Sequence, residues 1–320
     1  MKIITHEDIE NLNISPIQCF RWTDQLLRRK KTTILPPKTH MEMEKGIYCN
    51  VMPSILLEEH SVGGVKVVTR YPDRIPLMDS KILLFDMERG YVKAILDGNW
   101  ITAMRTGAVA AHSILQFAKR NFAKVSFIGL GNTAGATLLM LDAVLPSERQ
   151  LDIQLLQYKN QAEQFAKRFE EISRFRIKII ADIYDLVTQS DVLVSCASYV
   201  EEDFCEPECF PKGILVVPVH TRGFINCDPF FDKIYADDME HVRGFRYFSK
   251  FRYFAEVSDV LDGVAKGREN QAERILVYNI GIGSHDINFA AHIYEMMQGV
   301  ETGTTTKDVE FREPTDKFWI

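Results

Sequence analysis

One short stretch narrows the choice of fold more than any other. The apolar run Lys124-Val125-Ser126-Phe127-Ile128 ends on Gly129-Leu130-Gly131-Asn132-Thr133-Ala134, and a helical pattern over 133–144 follows. A strand that turns through G-x-G-x-x-A into a helix has a definite physical use. The glycines allow a tight turn and close approach of backbone to a pyrophosphate, while the helix N-terminus supplies positive potential. Alone the pattern is weak, and its context strengthens it. Strands are expected at 152–157, 176–180, 191–196 and 213–217, with helices at 161–172 and 183–188. Such alternation gives a parallel sheet with right-handed crossovers. The region reads as a Rossmann-type domain in which Gly129, Gly131, Asn132, Thr133 and Ala134 meet a dinucleotide.

The second strand of such a unit usually ends in an acid that reads the ribose of NAD. Here it ends Leu156-Gln157-Tyr158-Lys159, with no Asp or Glu. Lys159 is a candidate for a 2′-phosphate, so the cofactor is read as NAD or NADP. Ligands of open parallel sheets lie at the carboxyl ends of the strands, which makes Ser198 a candidate for the nicotinamide side. Cys196 is not read as a nucleophile, because hydride transfer needs none.

Ahead of position 119 the texture is mixed. Ser15-Pro16 starts a helix, Phe20, Thr23, Leu26 and Leu27 share one side of it, and Arg28 to Lys31 close it with positive charge. Strands are expected at 64–68, 82–85 and 91–96, the last two joined by the turn Asp86 to Gly90. A helix is expected over 102–117, and one more from about Phe289 before a polar, loose end.

Composition excludes several classes. A length of 320 residues suits about two domains, and 38 basic against 44 acidic residues leave a net charge of -6. Non-specific nucleic-acid binding needs a strong basic field, so no nucleic-acid partner is expected. No run is long and apolar enough for a transmembrane helix, and the charged start offers no signal-peptide core, so a cytoplasmic protein without a membrane partner is expected. Cys205 and Cys209 lie close, but no second pair or nearby histidines complete a zinc site, so no metal is expected.

Set beside the glycine fingerprint, the other motifs resemble the ornithine cyclodeaminase/mu-crystallin family. The carriers are Cys49-Asn50-Val51-Met52-Pro53, Gly64-Val65-Lys66-Val67-Val68, Thr102-Ala103-Met104-Arg105-Thr106-Gly107-Ala108 and Ile280-Gly281-Ile282-Gly283-Ser284-His285-Asp286. The order and spacing of the set is far more specific than any member. The resemblance implies an α/β chain in which a doubly wound Rossmann domain (119–286) is inserted into an α+β substrate and dimerisation domain (1–118 and 287–320). It also implies a homodimer, and hydride transfer at the Cα of an amino acid or its imine, as in ketimine reductases, amino-acid dehydrogenases and N-substituted amino acid dehydrogenases.

A substrate carboxylate needs fixed cations, ideally the planar fork of Arg. Arg105 near its helix start and Lys66 within an apolar strand fit that need. By the resemblance Lys38 and Met52 join them as substrate residues, Thr106 joins the cofactor residues, and Lys66 also counts as catalytic. The family's arginine after proline is Lys38 here, a point charge instead of a fork. The aspartate with which ornithine cyclodeaminases handle the substrate amine is also missing. Ungapped placement puts His220 or Thr221 there, and a shifted placement brings in Asp228. His220 is the candidate proton acceptor, because its ordinary pKa lies near neutrality. Asp286 is expected to cap the helix after it. Ornithine cyclodeamination to proline and a non-catalytic nucleotide-binding protein are the alternatives.

Overall fold

The structure, a computed structural model, describes residues 1–57, 61–198, 200, 202–298 and 307–308. Its helices are α1 (His6–Asn11), α2 (Pro16–Arg28), α3 (Asn99–Phe117), α4 (Asn132–Val144), α5 (Gln161–Arg168), α6 (Ile183–Thr188), α7 (Met239–Val242), α8 (Val257–Leu261) and α9 (Gly283–Met296). The chain divides into two compact units, Met1–Ile14 with Thr32–Thr102 and Gly283–Ile320, and Ser15–Lys31 with Ala103–Ile282.

These bounds differ from the expected 1–118/119–286 division, and the reason is packing. Helices α2 and most of α3 go with the second unit. Ser15 caps α2 by accepting from the Gln18 amide, and α2 packs against α4. On α3, a Cβ at Gly107 would stand 2.5 Å from that of Ala136, so only glycine lets α3 and α4 approach so closely. Just after α2, buried Lys30 pairs with Asp238 at 2.8 Å and Glu256 at 2.6 Å.

The first unit is built on β1 (Lys2–Ile4), β2 (Thr33–Ile34), β3 (Thr39–Glu42), β4 (Tyr48–Leu56), β5 (Val62–Arg70), β6 (Met78–Asp86) and β7 (Val92–Asp97). They run β1-β7-β6-β5-β4-β2, with β3 also on β4 and Lys307–Asp308 on β1. Strands β4 to β7 are antiparallel, and the turn into β7 uses Gly90 at φ 77°. Alternation sets their two faces. Met52, Ser54, Lys66, Val68, Ile82 and Leu84 are buried. Helix α9 lies on this face, where a Cβ at Gly64 would meet the Ile287 side chain at 2.6 Å. The opposite face carries Val51, Pro53, Ile55, Val65, Val67 and Leu83, apolar yet partly open to solvent.

The second unit holds β8 (Lys124–Ile128), β9 (Leu151–Leu156), β10 (Phe175–Ile180), β11 (Val192–Ser195), β12 (Leu215–Pro218), β13 (Lys233–Ala236), β14 (Phe254–Glu256) and β15 (Ile275–Tyr278). All neighbours are parallel, in the order β10-β9-β8-β11-β12-β15-β13-β14. The order reverses between β8 and β11, the switch point where such sheets bind ligands. Leu193, Val216, Ile234 and Leu276 form its core with aromatic neighbours such as Phe210 and Phe224. The expected strands here lie within a residue or two of the observed ones. The helix expected to 172 stops at Arg168, and the one expected from Phe289 starts at Gly283. The polar end falls mostly outside the described residues.

Candidate active site

In the first unit, register lines up the candidate substrate residues. Met52 of β4 sits directly opposite Lys66 of β5. Lys38 immediately precedes β3, whose Thr39 pairs with Val51 of β4. Lys66 is 1% exposed, and its Nζ donates to Asp286 Oδ1 of α9 at 2.7 Å. Asp286 therefore does more than sit in the first turn of its helix: it is the buried counter-ion of a strand lysine. A carboxylate at this distance offsets part of the cost of burying an ammonium. The main chain there is equally constrained, since a Cβ at Gly283 would stand 2.9 Å from the Met52 carbonyl oxygen.

In the second unit, the remaining candidates gather at the carboxyl edge of the sheet. The turn after β8 has Gly129 at φ 79°, where an added Cβ would meet the Cys196 and Ala197 backbone at 2.6 Å. Gly129 thus makes room for the end of β11. Gly131 is different: a Cβ there would meet nothing within 4 Å, so the space beside it is open. Gly131 is also the N-cap of α4, and no side chain caps that helix. The amides at the start of α4, with Asn132 and Thr133 beside them and Ala134 buried behind, therefore face open space and suit an anionic group. This arrangement fits a dinucleotide pyrophosphate.

Arg105 and Thr106 are buried on α3, and the Arg105 guanidinium lies where a Cβ at Gly281 would be, 2.8 Å from its nearest nitrogen. Gly281 follows β15 at φ 93°, and its N–H donates to buried Asp237 at 2.6 Å. Glycine at 281 is needed both for its backbone angle and for the arginine stacked against it.

His220 follows β12. Its Nε2 lies 2.6 Å from Ser195 Oγ at the end of β11, and its ring stacks on Phe224. Burial pushes this imidazole down to about 4, against a smaller opposing pull from the Arg222 backbone, so it is neutral at physiological pH. Ser198 is exposed on the same edge. Burial pushes the Cys196 thiol up to about 12, which leaves no thiolate for nucleophilic work. Asp228 is not at this edge's surface: it is fully buried and accepts from Tyr278 Oη at 2.7 Å. Thr221 is partly buried. Lys159 lies exposed past β9 with its ammonium 5.3 Å above the Tyr158 ring. His112 is structural, bonded to Asp24 at 3.0 Å and stacked on Phe20. Two clusters result, one in each unit.

Residues 2–209 match the model of the Ornithine cyclodeaminase/mu-crystallin family. The chain belongs to that family. It is similar to the N-((2S)-2-amino-2-carboxyethyl)-L-glutamate dehydrogenase of Staphylococcus aureus, 27% identical over 296 residues, covering 85% of this chain and 86% of the other. The fold matches the Thermococcus litoralis Delta(1)-pyrroline-2-carboxylate reductase solved with NADH and L-proline, at 24% identity and TM-score 0.83, covering 95% of this chain and 100% of that one. It also matches an archaeal alanine dehydrogenase dimer with bound NAD, at 21% identity and TM-score 0.82, covering 96% and 99%.

Membership gives the family's motifs a physical content that sequence reasoning did not supply. It missed that Asp286 pairs with Lys66, that Gly281 seats Arg105 and that Ser195 bonds His220. The signal for the first two was present in Ile280 to Asp286, where two glycines and an acid sit among buried residues. Nothing in the sequence marked Ser195. Among the described residues no group of three or more His, Cys, Asp or Glu suits a metal ion, and no helix is long and apolar enough to cross a membrane.

Proposed function

We propose that the chain is an NAD(P)-dependent oxidoreductase that transfers hydride at the Cα of an amino acid or its imine. The observation that carries this reading is Arg105: a buried guanidinium seated on Gly281 within the unit whose uncapped α4 faces open space. A carboxylate-binding fork and a pyrophosphate-binding helix start in one unit are what an amino-acid dehydrogenase requires. The nicotinamide, when bound, supplies or accepts the hydride.

The chain's own residues do the rest. In the second unit Arg105 binds the substrate α-carboxylate; in the first unit Lys66, opposite Met52 and with Lys38 just ahead of β3, is a further candidate cation for the substrate and is held by Asp286. Thr106, Gly131, Asn132, Thr133 and Ala134 hold the dinucleotide, with Gly129 shaping the turn and Ser198 on the nicotinamide side. His220 is neutral at working pH and offers an uncharged imidazole where ornithine cyclodeaminases have a carboxylate. A neutral ring holds an ammonium less well than a carboxylate does, so amine or imine redox is favoured over cyclisation of ornithine. The relatives' names, a pyrroline-carboxylate reductase and two dehydrogenases, are of the same reaction class.

The partly open apolar face of the first sheet, Val51 to Ile55 with Val65, Val67 and Leu83, supports a homodimer through that unit, as does the dimeric alanine dehydrogenase relative. Six free cysteines suit a reducing compartment such as the cytosol. The deciding experiment is a screen of imine reduction and amino-acid oxidation with both nicotinamide cofactors, followed by absorbance. Turnover of at least one carboxylate-bearing imine or amino acid is expected, with Arg105→Ala weakening its binding by about 2–5 kcal/mol. Unchanged affinity in that variant overturns the carboxylate assignment. Efficient conversion of ornithine to proline with ammonia release overturns the preference for redox.

A further inference from the structure

In a sheet of this order the pyrophosphate sits at the start of α4, and the adenosine ribose reaches the end of the adjacent strand β9. A chain that reads NAD places a carboxylate there, which accepts from the ribose hydroxyls and repels a 2′-phosphate. Past β9, residues 157–160 are Gln, Tyr, Lys and Asn, with no acid among them. The first acid beyond, Glu163 on α5, accepts from Gln157 Nε2 at 3.0 Å. The same amide nitrogen donates to the Lys159 carbonyl at 2.5 Å, which fixes the turn. Lys159 has φ 51°, a left-handed backbone uncommon for a side-chain-bearing residue. Its ammonium lies over the Tyr158 ring, itself 58% exposed. Lys159 makes no ion pair with an acid among the described residues.

We propose that this chain takes NADP(H) in preference to NAD(H), with Lys159 meeting the 2′-phosphate and the open face of Tyr158 stacking the adenine. The inference rests on the dinucleotide reading of the α4 site and specifies which dinucleotide it takes. A lysine is a point charge that suits a phosphate, and the turn held by Gln157 means little ordering is left to pay for on binding.

The test is equilibrium binding of NADPH and NADH, read by quenching of intrinsic fluorescence and by calorimetry, without substrate. Tighter binding of NADPH by at least about ten-fold is expected, a gap typical of one charge-assisted contact. Lys159→Asn removes the charge while tolerating the left-handed backbone, so it keeps the turn. It should lower NADPH affinity about ten-fold and leave NADH affinity unchanged. Equal or tighter binding of NADH by the parent overturns the preference and leaves the dinucleotide site standing. Tighter NADPH binding that Lys159→Asn does not reduce overturns the role of Lys159. Failure to bind either dinucleotide overturns the site itself and the inference with it.

Discussion

Removing the carboxylate of Asp286 should destabilise the chain far more than its place in a first helical turn suggests. Lys66 and Asp286 are 1% and 0% exposed and 2.7 Å apart. At an effective dielectric of about 20, two unit charges at that separation attract by about 6 kcal/mol before desolvation. Desolvation costs several kcal/mol per ion, so the intact pair adds little net stability. Breaking it is another matter, because Asp286→Ala leaves a buried ammonium without its carboxylate, at a cost of about 3–5 kcal/mol. If Asp286 acted only on the start of α9, the loss would be about 0.3–1 kcal/mol from the helix dipole. The gap is measurable. Urea unfolding should show the larger loss for Asp286→Ala and recovery of most of it in the double variant Lys66→Met/Asp286→Leu, which buries no charge. An Asp286→Ala protein within about 1 kcal/mol of the parent, and no more stable with Lys66→Met/Asp286→Leu than without it, would refute the buried-pair reasoning.

Burial pushes the Asp228 carboxyl up to about 7, against the Tyr278 hydroxyl that donates to it. The folded chain then holds a proton between about pH 4 and 7 that an unfolded aspartate has lost, so this contribution to stability is full below about pH 4 and falls as pH rises through 7. Asp228→Asn should therefore raise stability at pH 8 by about 1–3 kcal/mol and change little at pH 4, as read from denaturant midpoints at both pH values. Gly131→Val should fold normally, because its side chain enters open space, yet lose NAD(P)H binding by at least about ten-fold; retained binding would place the dinucleotide elsewhere. Gly129→Ala should instead lower stability, through its 2.6 Å clash with the Cys196–Ala197 backbone and its positive φ, as thermal unfolding would show.

Much of the second unit was legible because its signals are local. A five-residue apolar strand, a glycine turn and an Ala-rich helix repeat their punctuation within a few residues, and β8 and α6 fall where the pattern puts them. The start of α9 was hidden for the opposite reason. Ser284, His285 and Asp286 look like loop residues, yet all three are fully buried, because a partner such as Lys66 lies far away in the chain. The assignment of α2 and α3 to the second unit was equally out of reach. It depends on Gly107 meeting Ala136 and on Lys30 meeting Asp238 and Glu256, which no periodicity reports.

The same distinction explains why the candidate site was legible as a set of residues and not as chemistry. Lys66, Arg105 and His220 could each be named from motif order, but what each can do depends on a second residue. Asp286 supplies the buried Lys66 ammonium with a carboxylate partner from α9. Gly281, lacking a Cβ, leaves room for the Arg105 guanidinium beside the main chain after β15. Burial beside β12 lowers the His220 pKa to about 4, so the ring, bonded to Ser195 and stacked on Phe224, is neutral and does not replace a carboxylate by charge. Asp286 starts a helix, Gly281 follows a strand and Ser195 ends one, so backbone geometry fixes each of these three partners. The stretch Ile280 to Asp286 thus carries both Gly281, which seats Arg105 in the second unit, and Asp286, which pairs with Lys66 in the first.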